Sequence, residues 1–149
     1  MRFDYHRDPI KKPAYALGGR HDRPHPVVPI TLIGPAGSIY RKAYLDTMAD
    51  DTVFPEPVAG LVGIDLTGAP VGEAASAGGA IMQIKFARVT LRATDGVEFR
   101  EWPAWVGFTP APLRRPLLGF AGCLQFFTAT FFGDLEQVEL MVNSRYPGV

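Results

Sequence analysis

The carboxylates best placed for chemistry lie in a short segment near residue 46. Residues 46–51 read Asp-Thr-Met-Ala-Asp-Asp and follow an apolar stretch that ends at Leu45. A positioned aspartate can act as a general acid or base. Asp and Thr are also ordinary turn residues, because both bond locally to backbone groups. Taken alone, Asp46-Thr47 therefore predicts only a turn at a strand end.

Two later segments give this turn a context. Residues 73–80 are mostly small and lead into an apolar run from Ile81 to Phe86. A surface turn would also explain their Gly78-Gly79 pair. Further along, Leu117-Leu118-Gly119 precedes residues 122–126, which are a candidate short helix. Three such segments in this order indicate a particular fold and site much more specifically than any one of them does alone.

In this order the segments resemble the markers of retropepsins, the single-domain aspartic peptidases of retroviruses and their cellular and bacterial relatives. That family has an apolar strand running into Asp-Thr/Ser-Gly-Ala, then a glycine-rich flap, then two apolar residues and a glycine before a short helix. The resemblance covers roughly residues 27–142. It implies an all-β fold, a closed acid-protease barrel with one or two short helices and a flap hairpin. Leu113-Arg114-Arg115 is extra length before the last marker.

The resemblance implies an aspartic endopeptidase that acts on an extended polypeptide without metal or cofactor. Two carboxyl groups within hydrogen-bonding distance share one proton, so one activates water while the other protonates the peptide carbonyl. Asp46-Thr47 is the one Asp-Thr pair that directly follows an apolar stretch, so the second carboxylate would be Asp46 of a second copy in a two-fold homodimer. Thr47 would hold the two catalytic loops in register. The implied substrate-binding residues are Met48, Ala49, Asp50, Asp51, Ala77, Gly78 and Gly79, which would bind the peptide as an added strand.

Met48 departs from the motif, because the family has glycine at this position. Glycine allows unusual backbone angles, whereas Met adds a Cβ and a long flexible side chain where two loops and a substrate meet. A positive φ at Met48 would cost on the order of 1 kcal/mol, whereas a negative φ would leave mainly a steric cost. The alternative hypothesis is therefore a module of the same fold that binds peptides or mediates assembly without cleaving.

The elements that must hold these residues are short strands separated by turns, the pattern of a small all-β domain. Residues 27–33 and 39–45 predict one hairpin, and residues 128–132 and 137–142 predict another at the end of the chain. The alternating run 87–94 ends at Asp95-Gly96, which predicts a type I′ hairpin turn with a return strand from Val97. Short helices are expected at 57–62 and 120–126. Trp102 and Trp105 are each either core or exposed rim.

Size and composition bound the remaining classes of function. The 149 residues predict one domain over 27–149, preceded by an N-terminal arm over 1–26 that is extended or partly disordered. Lys plus Arg and Asp plus Glu both total 15, so no net charge favours nucleic acid or a membrane surface as a partner. No apolar stretch approaches the roughly 18 residues of a membrane span, and no signal peptide is evident at the start. We expect a soluble cytoplasmic protein.

The remaining metal-ligating and nucleophilic side chains predict no further site. His21, Asp22 and His25 lie in a proline-rich leader without a framework that would fix ligand geometry, so we expect no metal. Cys123 is the single cysteine, which excludes an internal disulfide. Its apolar neighbours predict a buried, inert thiol.

Overall fold

The computed structural model describes residues 1–76 and 78–149, and it is an all-β protein. The helices of this part are α1 (Pro57–Leu61) and two single 3-10 turns, Tyr15–Leu17 and Leu124–Phe126. The low helix content and the predicted helix near 57–62 are confirmed, whereas the helix predicted over 120–126 is reduced to the single 3-10 turn Leu124–Phe126. The strands are β1 (Arg2–Asp4), β2 (His6–Ala14), β3 (Arg20–His25), β4 (Val27–Gly34), β5 (Gly37–Leu45), β6 (Val53–Pro55), β7 (Val71–Ala75), β8 (Ile81–Thr94), β9 (Phe99–Thr109), β10 (Leu117–Leu118), β11 (Phe127–Phe132) and β12 (Gln137–Val142).

Within the described residues, six strands close into a barrel in the order β4-β5-β10-β6-β9-β8. The barrel closes because the second half of β8 pairs with β4, from Thr90↔Ile33 to Ala93↔Ile30. The first half of β8 instead pairs with β7, which extends the sheet away from the barrel. The predicted closed barrel is therefore confirmed.

Alternation of apolar and polar side chains explains why these segments form half-buried strands. On β8, Leu91 and Ala93 are buried while Arg92 and Thr94 are exposed. Leu91 lies opposite Trp102 on β9, and both are fully buried. Burial of one large apolar side chain contributes about 1.5–3 kcal/mol, so these inward rows hold the barrel together.

The predicted hairpins at 27–45 and 127–142 are confirmed by the antiparallel pairs β4–β5 and β11–β12. The prediction for Asp95-Gly96 was only half right. The β8–β9 hairpin exists, but its last pair is Thr94↔Phe99, so the loop is longer than a two-residue type I′ turn. Gly96 has a φ of 89°, whereas Asp95 does not have a positive φ. The Asp95 carboxylate accepts hydrogen bonds from the amides of Val97 and Glu98, both at 3.0 Å, which stabilises the wider loop.

Residues 1–26, which we treated as an arm, contain three strands. β1 pairs with β12, and β2 and β3 form their own antiparallel hairpin. Met1 and Phe3 belong to the same buried cluster as Val28 and Leu32 of the barrel. The boundary that we placed at Val27 therefore does not divide the buried cluster. None of the helices in the part of the chain that the structure describes has the length and apolar character needed to cross a membrane.

Candidate functional site

The Asp46 loop begins where β5 ends and is held by its own hydrogen bonds. The Asp46 amide donates to the carbonyl oxygen of Leu118 at 3.1 Å, which ties the loop to β10. Asp46 Oδ1 accepts a hydrogen bond from the Met48 amide at 2.9 Å, and the Asp46 carbonyl accepts one from Ala49 at 3.2 Å. These are the local bonds of an Asx turn. The half-buried carboxylate is thereby oriented by the loop that carries it.

β10 lies between β5 and β6, which brings the first and third predicted segments into contact. Leu117 lies opposite Tyr44 of β5 in a parallel pair and opposite Val53 of β6 in an antiparallel pair. After β10, the Phe120 amide donates to the Ala49 carbonyl at 2.9 Å. β10 lies more than seventy residues after Asp46 in the sequence, and it nevertheless supports the Asp46 loop directly.

Further backbone bonds fasten the far side of the loop. The Ala121 amide donates to the Asp50 carbonyl at 2.8 Å, and the Thr52 amide donates to the Ala121 carbonyl at 2.9 Å. The Thr52 carbonyl accepts a bond from the Gly107 amide of β9 at 2.8 Å. Asp50 and Thr52 are thus fixed through their backbone groups, without help from their side chains.

Glycine is required after β10 because backbone atoms approach it closely. A Cβ on Gly119 would clash with the Asp51 carbonyl oxygen and would lie 2.7 Å from the Ala49 carbonyl oxygen. Gly122 has a φ of +88°, and a Cβ there would lie 2.6 Å from the Trp105 carbonyl oxygen. The glycine of Leu117-Leu118-Gly119 therefore has a steric role at the Asp46 loop.

Of the two backbone conformations considered for Met48, the structure has the less costly one, with a negative φ. Among the described residues other than glycine, only Glu136 has a positive φ, so the Met48 backbone is unstrained. The Met48 side chain is 88% exposed in the single chain. Thr47 beside it is also exposed. Met48 therefore exposes an apolar side chain on the surface of the Asp46 loop without straining the loop backbone.

Asp50 and Asp51 have different surroundings although they are adjacent. Asp50 is exposed, whereas Asp51 is half-buried. Burial and, to a smaller extent, the neighbouring Asp50 charge raise the pKa of the Asp51 carboxyl. Asp51 lines a cleft of about 380 Å³ whose other walls include Phe86 and Trp105. Arg88 and Gln125 also line this cleft, so a polar group that enters it would meet a carboxyl, a guanidinium and an amide between aromatic walls.

The predicted flap corresponds to the end of the β7–β8 hairpin. Its tip is closed by a bond from the Ser76 amide to the Ala80 carbonyl at 2.8 Å, and Gly79 has a φ of 80°. Gly78 and Gly79 are exposed at this tip, while Ala77 lies outside the described residues. The hydrogen bonds found at Ser76, Gly79 and Ala80 are internal to the hairpin. Within residues 1–76 and 78–149, the hydrogen bonds therefore join the Asp46 loop to the segment around Gly119 and do not join it to the tip of the β7–β8 hairpin.

The other sequence candidates behave as structural residues. His25 contacts Asp8 at 2.9 Å, while His21 is exposed. Within residues 1–76 and 78–149, no group of three or more His, Cys, Asp or Glu is arranged to hold a metal ion. Cys123 is buried, and burial raises the pKa of its thiol to about 12, as expected for an inert cysteine.

Sequence reasoning missed the charged cluster around Asp8, which includes Arg114 and Arg115. The two arginines had been noted only as extra length, and Asp8 only as part of a leader. No local pattern connects them, since more than a hundred residues separate the two segments. Only the unusual Arg-Arg pair directly before a buried strand could have drawn attention to a buried partner.

No protein-family model matches the chain, and no curated protein matches it significantly. Function is therefore inferred from the geometry of the Asp46 site.

Proposed function

We propose that this chain is a retropepsin-like aspartic endopeptidase that acts as a homodimer, with Asp46 of each copy forming the catalytic pair. One observation carries the proposal. Asp46 directly follows β5 and is bonded through its amide to Leu118 of a strand inserted between β5 and β6. This arrangement holds the Asp46 carboxylate of one copy in a fixed position at the end of the barrel, where it could form a pair with Asp46 of a second copy, as the resemblance implies.

The surface around the loop supports a two-fold assembly. Met48 is 88% exposed and Phe120, whose amide bonds the loop, is 55% exposed. An isologous contact through this face would bury both side chains and bring each Asp46 toward its mate. A single domain offers one such loop, so the second carboxylate has to come from the second copy.

The free atoms of Asp46 suit general acid–base chemistry. Oδ1 accepts the Met48 amide, while Oδ2 accepts no hydrogen bond within the described residues. In the proposed pair, one ionised Asp46 removes a proton from water as the water oxygen attacks the peptide carbonyl carbon. The protonated partner donates to the carbonyl oxygen, and collapse of the tetrahedral species passes a proton to the departing amine. Thr47 would bond across the axis and hold the two loops in register.

We assign peptide binding to the residues that surround this centre. Ala49, Asp50 and Asp51 follow the catalytic residues on one side, and Asp51 faces the 380 Å³ cleft. The β7–β8 hairpin carries Gly78 and Gly79 at an exposed tip, where the hydrogen bonds of Ser76, Gly79 and Ala80 are internal to the hairpin. Such a hairpin can close over an extended peptide bound as an added strand.

The second candidate, a peptide-binding or assembly module without cleavage, was motivated by Met48. The negative φ of Met48 removes the backbone strain from that argument and leaves the side chain alone as an obstacle. The two functions differ in one measurable way, which is turnover of peptide bonds.

The deciding experiment compares the wild type with Asp46→Asn on a mixed peptide library at mildly acidic pH. Asparagine keeps an oxygen that can accept the Met48 amide, so the variant should fold normally while losing all cleavage. Asp134→Asn, in an exposed turn, is the matched control and should cleave like the wild type. Equal hydrolysis by the Asp46→Asn protein would rule out the proposed chemistry. Peptide binding without any wild-type turnover would favour the module.

If the active site is shared between two copies, activity should depend on protein concentration. Cleavage per chain should fall as the enzyme is diluted through its dimerisation range, and a pepstatin-type inhibitor should shift sedimentation toward the dimer. A specific activity that stays constant down to concentrations where sedimentation shows only monomer would contradict a shared site.

A further inference from the structure

The N-terminal hairpin and the extra length before β10 meet at one buried carboxylate. Asp8 of β2 is only 2% exposed, although it lies in the N-terminal hairpin β2–β3. Arg114 and Arg115 come from the extra length before β10. A buried aspartate needs paired cations, and these two arginines supply them.

The bonds to Asp8 form a fork. Arg115 donates from Nη1 to Oδ2 and from Nη2 to Oδ1, both at 2.9 Å, and Arg114 donates to Oδ1 at 3.1 Å. His25 Nδ1 lies 2.9 Å from Oδ2, and His6 Nε2 lies 3.5 Å from Oδ1. A bidentate arginine–carboxylate pair fixes orientation as well as distance. Asp8 therefore holds Arg115 in one geometry.

Arg115 extends this contact to β5. Its guanidinium lies 5.1 Å from the centroid of the Tyr44 ring, and Nη1 lies 3.3 Å from the Tyr44 hydroxyl. The Tyr44 amide donates to the Pro116 carbonyl at 2.9 Å. Tyr44 stands two residues before Asp46, and Pro116 directly precedes β10. One arginine thus bridges the two strands whose ends carry and support the catalytic loop.

We propose that Asp8 and Arg115 are positioning residues for Asp46. By clamping the segment before β10 onto Tyr44, they keep β5 and β10 in the register that lets the Leu118 carbonyl hold the Asp46 amide. The catalytic part of this inference rests on the proposed peptidase function. The structural part, that Asp8 and Arg115 hold the Asp46 loop in place, does not rest on that function, because amide exchange in the loop can be measured without substrate.

The hairpin has a second attachment that supplies a matched control. Arg7 and Arg20 both pair with Glu136 in the turn before β12, a strand of a different sheet from β5 and β10. Glu136→Gln weakens this attachment, whereas Asp8→Asn removes the charge at the clamp with little change of shape. The two variants therefore separate docking of the hairpin from positioning of the loop.

The experiment measures amide hydrogen exchange and kinetics on the full chain. In Asp8→Asn we expect the Asp46 amide to exchange at least about tenfold faster, while amides of the β8–β9 pairs keep their wild-type rates. We also expect kcat to fall by about tenfold with KM changed less than twofold, as for a loss of geometry at the reacting centre. Glu136→Gln should leave both the exchange rate and kcat unchanged.

Arg115→Lys keeps the positive charge without the fork and should give intermediate exchange and intermediate kcat. It also serves as the test if Asp8→Asn does not fold. Unchanged exchange at Asp46 in the clamp variants, or equal acceleration throughout the barrel, would overturn the positioning role. If wild-type protein cleaves nothing while exchange responds as expected, the proposed function fails and the clamp stands.

Discussion

Gly119 lies directly against the backbone carbonyl of Asp51, with no space for a side chain between them. The Gly119→Ala substitution should therefore push β10 away from the Asp46 loop. We expect a loss of about 1–3 kcal/mol in the free energy of unfolding, the usual effect of overpacking. Urea denaturation at neutral pH measures this loss.

Gly133→Ala is the control for this substitution, because Gly133 has no neighbour within 4 Å of an added Cβ and its φ is not in the left-handed region. Its stability should stay within about 0.5 kcal/mol of the wild type. Equal stabilities for the two alanine variants would show that the contact between Gly119 and Asp51 is not tight.

Shortening Met48 should raise peptide cleavage. The Met48 backbone already has an ordinary negative φ, so the gain should come from removing the exposed side chain and not from relieving strain. Met48→Ala should then increase kcat/KM about as much as Met48→Gly. A gain seen only with glycine would mean that the loop changes its backbone conformation when the dimer or substrate binds.

The stability of the protein should fall in acid partly through Asp8. The Arg115 hydrogen bonds lower the pKa of the Asp8 carboxyl from 3.8 to about 2. A lowered folded pKa contributes stability that is present above the unfolded pKa and is lost as pH falls through the folded one. We expect a loss of roughly 2 kcal/mol between about pH 4 and pH 2 from this group.

Thermal or urea unfolding of Asp8→Asn across the same pH range checks the assignment to Asp8. The variant should be less stable than the wild type at pH 7, and the gap should narrow toward pH 2. Asp95 stays in both proteins, and its pKa of about 2, set first by the Glu98 amide, contributes equally to both. A gap that stays constant with pH would place the acid sensitivity elsewhere.

Trp102 should contribute to stability through its indole as well as its apolar area. It is 1% exposed, and its Nε1 donates to the Gly122 carbonyl at 2.8 Å, which links β9 to the segment after β10. Trp102→Phe leaves that buried carbonyl without its donor and should cost about 1–3 kcal/mol. Trp105 is 54% exposed, so Trp105→Phe is the comparison and should be nearly neutral in the same denaturation assay.

Cys123 should resist thiol reagents until the protein unfolds. Its thiol is buried and has a pKa of about 12, so little reactive thiolate forms at neutral pH. Labelling by a maleimide or a disulfide reagent should follow the fraction unfolded in increasing urea. Fast labelling of the native protein would show that the region around Gly122 opens locally.

The local features of this fold followed from the sequence because their causes are local. The runs 27–33 and 39–45 predicted the β4–β5 hairpin, and a short helix was predicted from residue 57, where α1 begins. The same local reasoning placed Asp46 after a strand. It failed at Asp95, where bonds from the Val97 and Glu98 amides to one carboxylate produced a longer loop than the dipeptide suggested.

The sequence by itself determined an all-β chain and a carboxylate loop at the end of a strand, since period-two alternation and turn residues act between neighbours. Only the tertiary structure decided that β10 lies between β5 and β6, that Met48 has a negative φ, and that Asp8 meets Arg115. These depend on contacts between distant segments that fit only once the barrel has closed. The contacts that hold Asp46 in place come from burial and from pairing between distant segments, and local sequence patterns do not predict them.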